Sequence, residues 1–172
     1  LAAGGPFLNR GTGRSHPVVG DERGRRGLAE ERQVRTSISK QQATIVAATL
    51  PSILARRQQF EAAMAGHMAR RGPFDPHKHR YQVTTASIID MLLDHAGGIA
   101  EDGGIAIIPH HGQRHQRMEI EGDHYSAFGD GLAPILRDVI PAEASPEAIA
   151  AWGDAYWAIT RSVMADAMRL AA

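Results

Sequence analysis

Seven of the nine histidines lie between positions 77 and 124, at 77, 79, 95, 110, 111, 115 and 124. Imidazole carries protons and binds metals near neutral pH, so such clustering raises the question of a metal centre. With no cysteine in the chain, disulfides and thiolate-held structural zinc are excluded, and any metal must rely on His or carboxylate. The HExxH pattern of helical zinc sites is absent. His111 and His115 are the only histidines four apart, and Gly112, Gln113 and Arg114 between them offer no acid to act as general base, which argues against a zinc hydrolase. A single histidine is ordinarily a surface or capping residue, and that reading applies to six of the seven. His115 stands apart. It closes one amphipathic segment, lies between Arg114 and Arg117, and is followed ten residues later by Tyr125, where a new helix begins.

The bulk numbers limit what such a residue can do. A chain of 172 residues fits one domain with one core. Lys plus Arg is 19 and Asp plus Glu is 19, so no net field draws the chain to nucleic acid or to an anionic membrane, and neither is expected as a partner. No apolar run approaches the roughly 18 residues of a spanning helix, and a cytoplasmic location is expected.

Two segments differ in character. Residues 1–36 begin on Leu rather than Met, carry seven Gly and seven Arg against four acids, and lack apolar periodicity. They are expected to form a disordered leader or non-native extension. From residue 37 to 172 helical signals accumulate. Ser39 with Gln42 three residues on is a capping-box pattern, and Val46, Leu50, Ile53, Phe60, Met64 and Met68 recur at helical steps. Pro51 is expected to end or kink the first helix, so that two helices meet near Thr49-Leu50-Pro51. After a loop with Gly72, Pro73 and Pro76, a third helix carries Tyr81, Ile88, Met91, Leu92 and His95 on one stripe and should stop at Gly97-Gly98. Residues 99–118 are interrupted by Gly103-Gly104 and Pro109, and IAII within them could be a strand or a buried half-helix; the stretch reads as short helices. Asp123 can cap a helix through Tyr125, Phe128, Leu132, Ile135 and Val139, closed by Pro141. In the last helix Ser145 caps, Pro146 takes the first position, and Ile149, Trp152, Tyr156, Ile159 and Val163 form one stripe, with Trp152 and Tyr156 read as core and Trp157 unassigned. No strand alternation or phosphate-binding loop is present, so the expected class is all-α, with about six to seven helices.

The stretch RHQRMEIEGDHYSAFGDGL and the later AWGDAYWAI resemble the C-terminal half of bacterial single-domain haemoglobins and of the globin domain of flavohaemoglobins. ATLPSILARR is similar to the start of that family, with its "TxP" kink. The resemblance spans about 38–170 and is thinnest from 66 to 112. It implies a globin-like bundle binding haem b, with His115 as the proximal iron ligand and Tyr125 beneath it. Met118 and Ile120 would shape the apolar floor, and Arg114 and Arg117 would pair with the propionates. Phe74 would pack on the haem ring. Gln82 matches the distal glutamine, although an ungapped count back from His115 places Val83 there instead. Bound O2, and NO or CO, would be the small ligands.

Two positions depart from the family pattern. Ala65 falls where the distal tyrosine is expected, and Ala167 where a proximal glutamate would support the imidazole. Nitric oxide dioxygenation, the catalytic extension of this reading, would need a separate flavin-dependent reductase, since no dinucleotide fingerprint occurs here. The alternative is a globin fold without haem that serves as a sensor or protein-interaction module. The glycine-rich stretch 97–112 favours that alternative, and the presence of His115 opposes it.

Overall fold

A reciprocal cap starts the chain's first helix, α1 (Lys40–Ala55): Ser39 Oγ accepts from the Gln42 N–H at 3.2 Å while Gln42 Oε1 accepts from the Ser39 N–H at 2.8 Å. The computed structural model describes residues 38–71, 81–102, 104–105 and 109–170. The expectations for the 1–36 extension and for Phe74 lie outside these residues, as do those for the side chains of Gln82 and Val83. The helices that follow α1 are α2 (Arg57–Arg71), α3 (Tyr81–Asp102), α4 (Pro109–Arg117), α5 (Gly122–Val139) and α6 (Pro146–Leu170). Among the described residues there is no strand, and the class is all-α.

Two expected helix ends are displaced. Pro51 does not end α1, which runs on to Ala55 and breaks at Arg56. Leu50 and Ile53, on either side of the proline, are buried in the core, and that anchorage outweighs the one backbone hydrogen bond the ring removes. Likewise α3 does not stop at Gly97-Gly98 but continues to Asp102, with Ala96 and Ile99 fully buried. No close approach requires either glycine, since a Cβ at each would meet nothing within 4 Å, and the burial of Ala96 and Ile99 on either side overrides their low helix propensity. At α5 the cap is Glu121 rather than Asp123. Ser145 caps α6 as the sequence suggests, its Oγ accepting from the Ala148 N–H at 3.2 Å.

The core is set by close crossings. α2 packs on α5, where Gly131 lies under the His67 ring: a Cβ there would come within 2.5 Å of it. His67 Nε2–H donates across this crossing to the Ala127 carbonyl at 3.0 Å. α1 and α6 are joined by a buried bond in which Trp152 Nε1–H donates to Thr49 Oγ1 at 2.7 Å, and Thr49 donates in turn to the Ile45 carbonyl at 2.8 Å. The buried indole and hydroxyl are thus both satisfied. Tyr156, also fully buried, donates its hydroxyl to the Tyr125 carbonyl at 2.7 Å and stacks on Phe128. Through that bond the apolar half of the molecule fixes the backbone of α5 at the residue that faces His115.

Candidate functional site

Pro146, at the first position of α6, has a counterpart in Pro109 at the first position of α4, where its missing N–H costs nothing. The nine residues of α4 carry His111 and His115 four apart and therefore on one face. That face is buried, with His111 and His115 at 1% and 2% exposure, against α3 and its own buried His95. The capping or surface reading therefore fails for His95 and His111. It suits His124, whose Nδ1 accepts from the Glu121 N–H at 3.0 Å. The sequence did hold the signal for the buried pair: His95 falls on the Ile88–Leu92 stripe, and His111 shares the face of His115.

α4 ends in a turn that sequence reading missed. The Glu119 N–H bonds to the Gln116 carbonyl at 3.1 Å and the Ile120 N–H to the His115 carbonyl at 3.0 Å. This is the Schellman pattern, with Glu119 at φ 54° in the left-handed position that normally takes glycine. The motif fixes the chain direction after His115 and brings Tyr125 back over it.

His115 is held from both sides. Its Nε2 lies 3.2 Å from the Ser87 carbonyl of α3 and its Nδ1 2.6 Å from the Tyr125 hydroxyl. A carbonyl can only accept, so Nε2 carries the proton, and in a neutral ring Nδ1 then accepts from the Tyr125 O–H. Neutrality follows from the environment. Burial lowers the pKa to about 4, the Ser87 carbonyl partly opposes the shift, and His111, Arg114 and His95 add to it. Burial likewise pushes the Tyr125 phenol above its ordinary range, so it remains a donor.

The other expected site residues gather around this pair to different degrees. Met118 accepts at its sulfur from Ser87 Oγ at 3.4 Å, and Ile120, partly buried, packs on the core. Arg114 Nη1 lies 3.3 Å from Asp90 Oδ2 on α3. Arg117 points to solvent, its Nε donating to the Gln113 carbonyl at 3.3 Å. Ala65 lines a cleft of about 310 Å³ between α2 and α3, with Gln58, Glu61, Ala62, Thr85, Ala86 and Ile89.

The donor chemistry fits haem iron: His115 is a buried, neutral imidazole, oriented through its second nitrogen by a phenol. Nε2, the nitrogen that would face an iron, faces the Ser87 carbonyl, so a macrocycle could sit over His115 only if α3 and α4 part. Ligation would also move the ring proton from Nε2 to Nδ1, with Tyr125 turning from donor to acceptor. The histidines do not form a closed metal cage. His95, His111 and His115 lie in a row with ring centroids 5.3 and 6.1 Å apart, and among the described residues no group of three His, Asp or Glu could hold an ion. A family model for globins matches residues 58–163, from the start of α2 almost to the end of α6 and more than half of the chain. With the all-α bundle and the buried histidine at the end of α4, this establishes that the chain belongs to the globin family, whose members characteristically bind haem and small gaseous ligands.

Proposed function

We propose that this domain is a haem-binding globin of the bacterial single-domain type, with His115 as the axial ligand of haem b and O2, NO or CO as its small ligands. The observation that carries the proposal is the His115–Tyr125 pair: a histidine buried and neutral at physiological pH, with its non-ligating nitrogen held at 2.6 Å. When bound, haem would supply an iron centre with a coordination position for a diatomic ligand. The chain would orient it. Tyr125 fixes the plane of the imidazole, while Met118 and Ile120 give the proximal side an apolar, water-excluding floor. Arg114 and Arg117 are the cations available to propionates, Arg114 by exchanging one carboxylate partner for another. Phe74 on the ring and Gln82 or Val83 on the distal side complete the assignment.

Ala65 supplies no hydroxyl to bound ligand, and Ala167 supplies no carboxylate behind the imidazole. A neutral phenol alone draws less proton density from Nδ1 than a carboxylate would, so electron donation by His115 is weaker. Simple gas binding therefore fits these residues better than nitric oxide dioxygenation, which would in addition require electrons from a separate flavin-dependent reductase. The proposed setting is the cytoplasm.

The Ser87 carbonyl on His115 Nε2 favours a second reading, a globin fold working without haem as a sensor or interaction module. Haemin titration of the full chain separates the two. The haem reading expects a stoichiometric Soret band and a ferrous spectrum of histidine ligation, both lost in His115→Ala. Tyr125→Phe should keep the haem and shift the iron–histidine stretch to lower frequency. Wild type binding haemin no better than His115→Ala would eliminate the ligand assignment and leave the haem-free module.

A further inference from the structure

Among the described residues, polar contacts between α3 and α4 run in antiparallel order. Ser87 meets His115 at 3.2 Å, Asp90 meets Arg114 at 3.3 Å, and Asp94 meets His111 at 3.1 Å. The middle contact differs from its neighbours because Asp90 is shared. Its Oδ1 accepts from Arg57 Nη2 of α2 at 2.6 Å, and Arg57 Nε also donates to Glu61 at 2.6 Å. One carboxylate thus binds three helices together directly beside the His115 ring. All four side chains, Glu61, Arg57, Asp90 and Arg114, remain between 29% and 42% exposed, so added salt can weaken them, unlike the buried His115 contacts.

We propose that Asp90 is a positioning residue that holds α4 against α3 and so controls how fast haem reaches His115. The inference rests on the haem reading above. Without Asp90 the contact beside His115 is lost and Arg57 no longer reaches the shared carboxylate, while the buried core of α1, α5 and α6 is untouched. Opening of α3 from α4 then no longer has to break an ion pair shared by three helices, while the buried His95, His111 and His115 packing and the Ser87 and Asp94 contacts remain. In the wild type, higher salt should do part of what the substitution does.

The test follows haemin uptake by the haem-free full chain in stopped flow, at low and high salt, for wild type, Asp90→Asn and Arg57→Gln. Amide hydrogen exchange of the same haem-free proteins is measured alongside. Asp90→Asn should take up haem about three- to tenfold faster at low salt, the range expected from losing two half-exposed ion pairs, and should lose most of the salt dependence seen in wild type. Arg57→Gln, which leaves the Arg114 contact, should show a smaller acceleration. In Asp90→Asn, exchange should rise in 109–117 and in the facing part of α3 while α1 and α6 stay protected. Unchanged uptake and exchange would overturn the proposal while leaving a His115-ligated globin in place. A uniform rise in exchange across all helices would also overturn it, as general destabilisation. Local opening of α4 with haem taken up by neither protein would remove the haem reading and the gate together, leaving Asp90 a structural clamp.

Discussion

The half of the core built on α1, α5 and α6 and the half built on α3 and α4 differ in the polar rings they bury among their apolar residues. In the first, Trp152, Tyr156 and Phe128 are fully buried, and the indole and phenol each bond to a partner within the core. In the second, His95, His111 and His115 occupy positions of equal burial, on or against a helix of only nine residues. Apolar burial makes the first half insensitive to pH and salt. The second half adds to its apolar residues a His115 ring that burial keeps neutral and carboxylates that are partly exposed. The adaptable half is the one that carries the candidate ligand. On the proposed haem reading, α3 and α4 would part to admit the macrocycle, and such a pair would serve poorly as the part of the fold that carries stability.

The largest effect expected from this contrast comes from the apolar side. Trp152→Ala should cost about 3–5 kcal/mol in urea unfolding, because it opens a cavity and leaves Thr49 without its donor. A loss below about 1 kcal/mol would mean that the anchor lies elsewhere. Acid should act on the other side. His115 has a folded pKa of about 4 against an ordinary 6.5, so between those values the unfolded state binds more protons. Its contribution to the stability of the haem-free protein is therefore complete above about pH 6.5 and disappears as pH falls towards about 4, a change of as much as about 3 kcal/mol. Denaturation at a series of pH values should show this slope, and His115→Gln should flatten it. Equal slopes for the two proteins would break the assignment of acid sensitivity to this ring.

Gly131→Ala probes the α2–α5 crossing. The added Cβ would displace the His67 ring from its bond to Ala127, and about 1–3 kcal/mol of overpacking cost should appear as a lower thermal midpoint. The smallest expected effect is a gain. Glu119→Gly relieves a left-handed residue in the turn after His115 and should stabilise the protein by about 1 kcal/mol, read from the denaturation midpoint. If the variant is less stable than wild type, the turn does not hold that conformation in solution.

Most of the helices could be read from the sequence because their signals are local. The Ser39–Gln42 cap, the Ser145-Pro146 start and the Trp152–Tyr156–Ile159 stripe each depend on residues within one or two turns, and each stands where it was expected. The misplaced ends, Pro51 and Gly97-Gly98, are positions where local propensity opposed burial contributed by other helices, and burial prevailed. At the site, the ten-residue spacing of His115 and Tyr125 could be read directly, and the structure places the two in contact.

The sequence by itself thus determined the all-α class, the caps and faces of the helices, and the singular position of His115, since these follow from periodicity and short-range hydrogen bonding. Only the tertiary structure decided that His95 and His111 are buried beside it, that the Ser87 carbonyl takes up its Nε2, and that Asp90 joins three helices. Those contacts join residues 17 to 33 positions apart on different helices. Their existence depends on how α2, α3 and α4 pack, a relation that no repeat of 3.6 residues encodes.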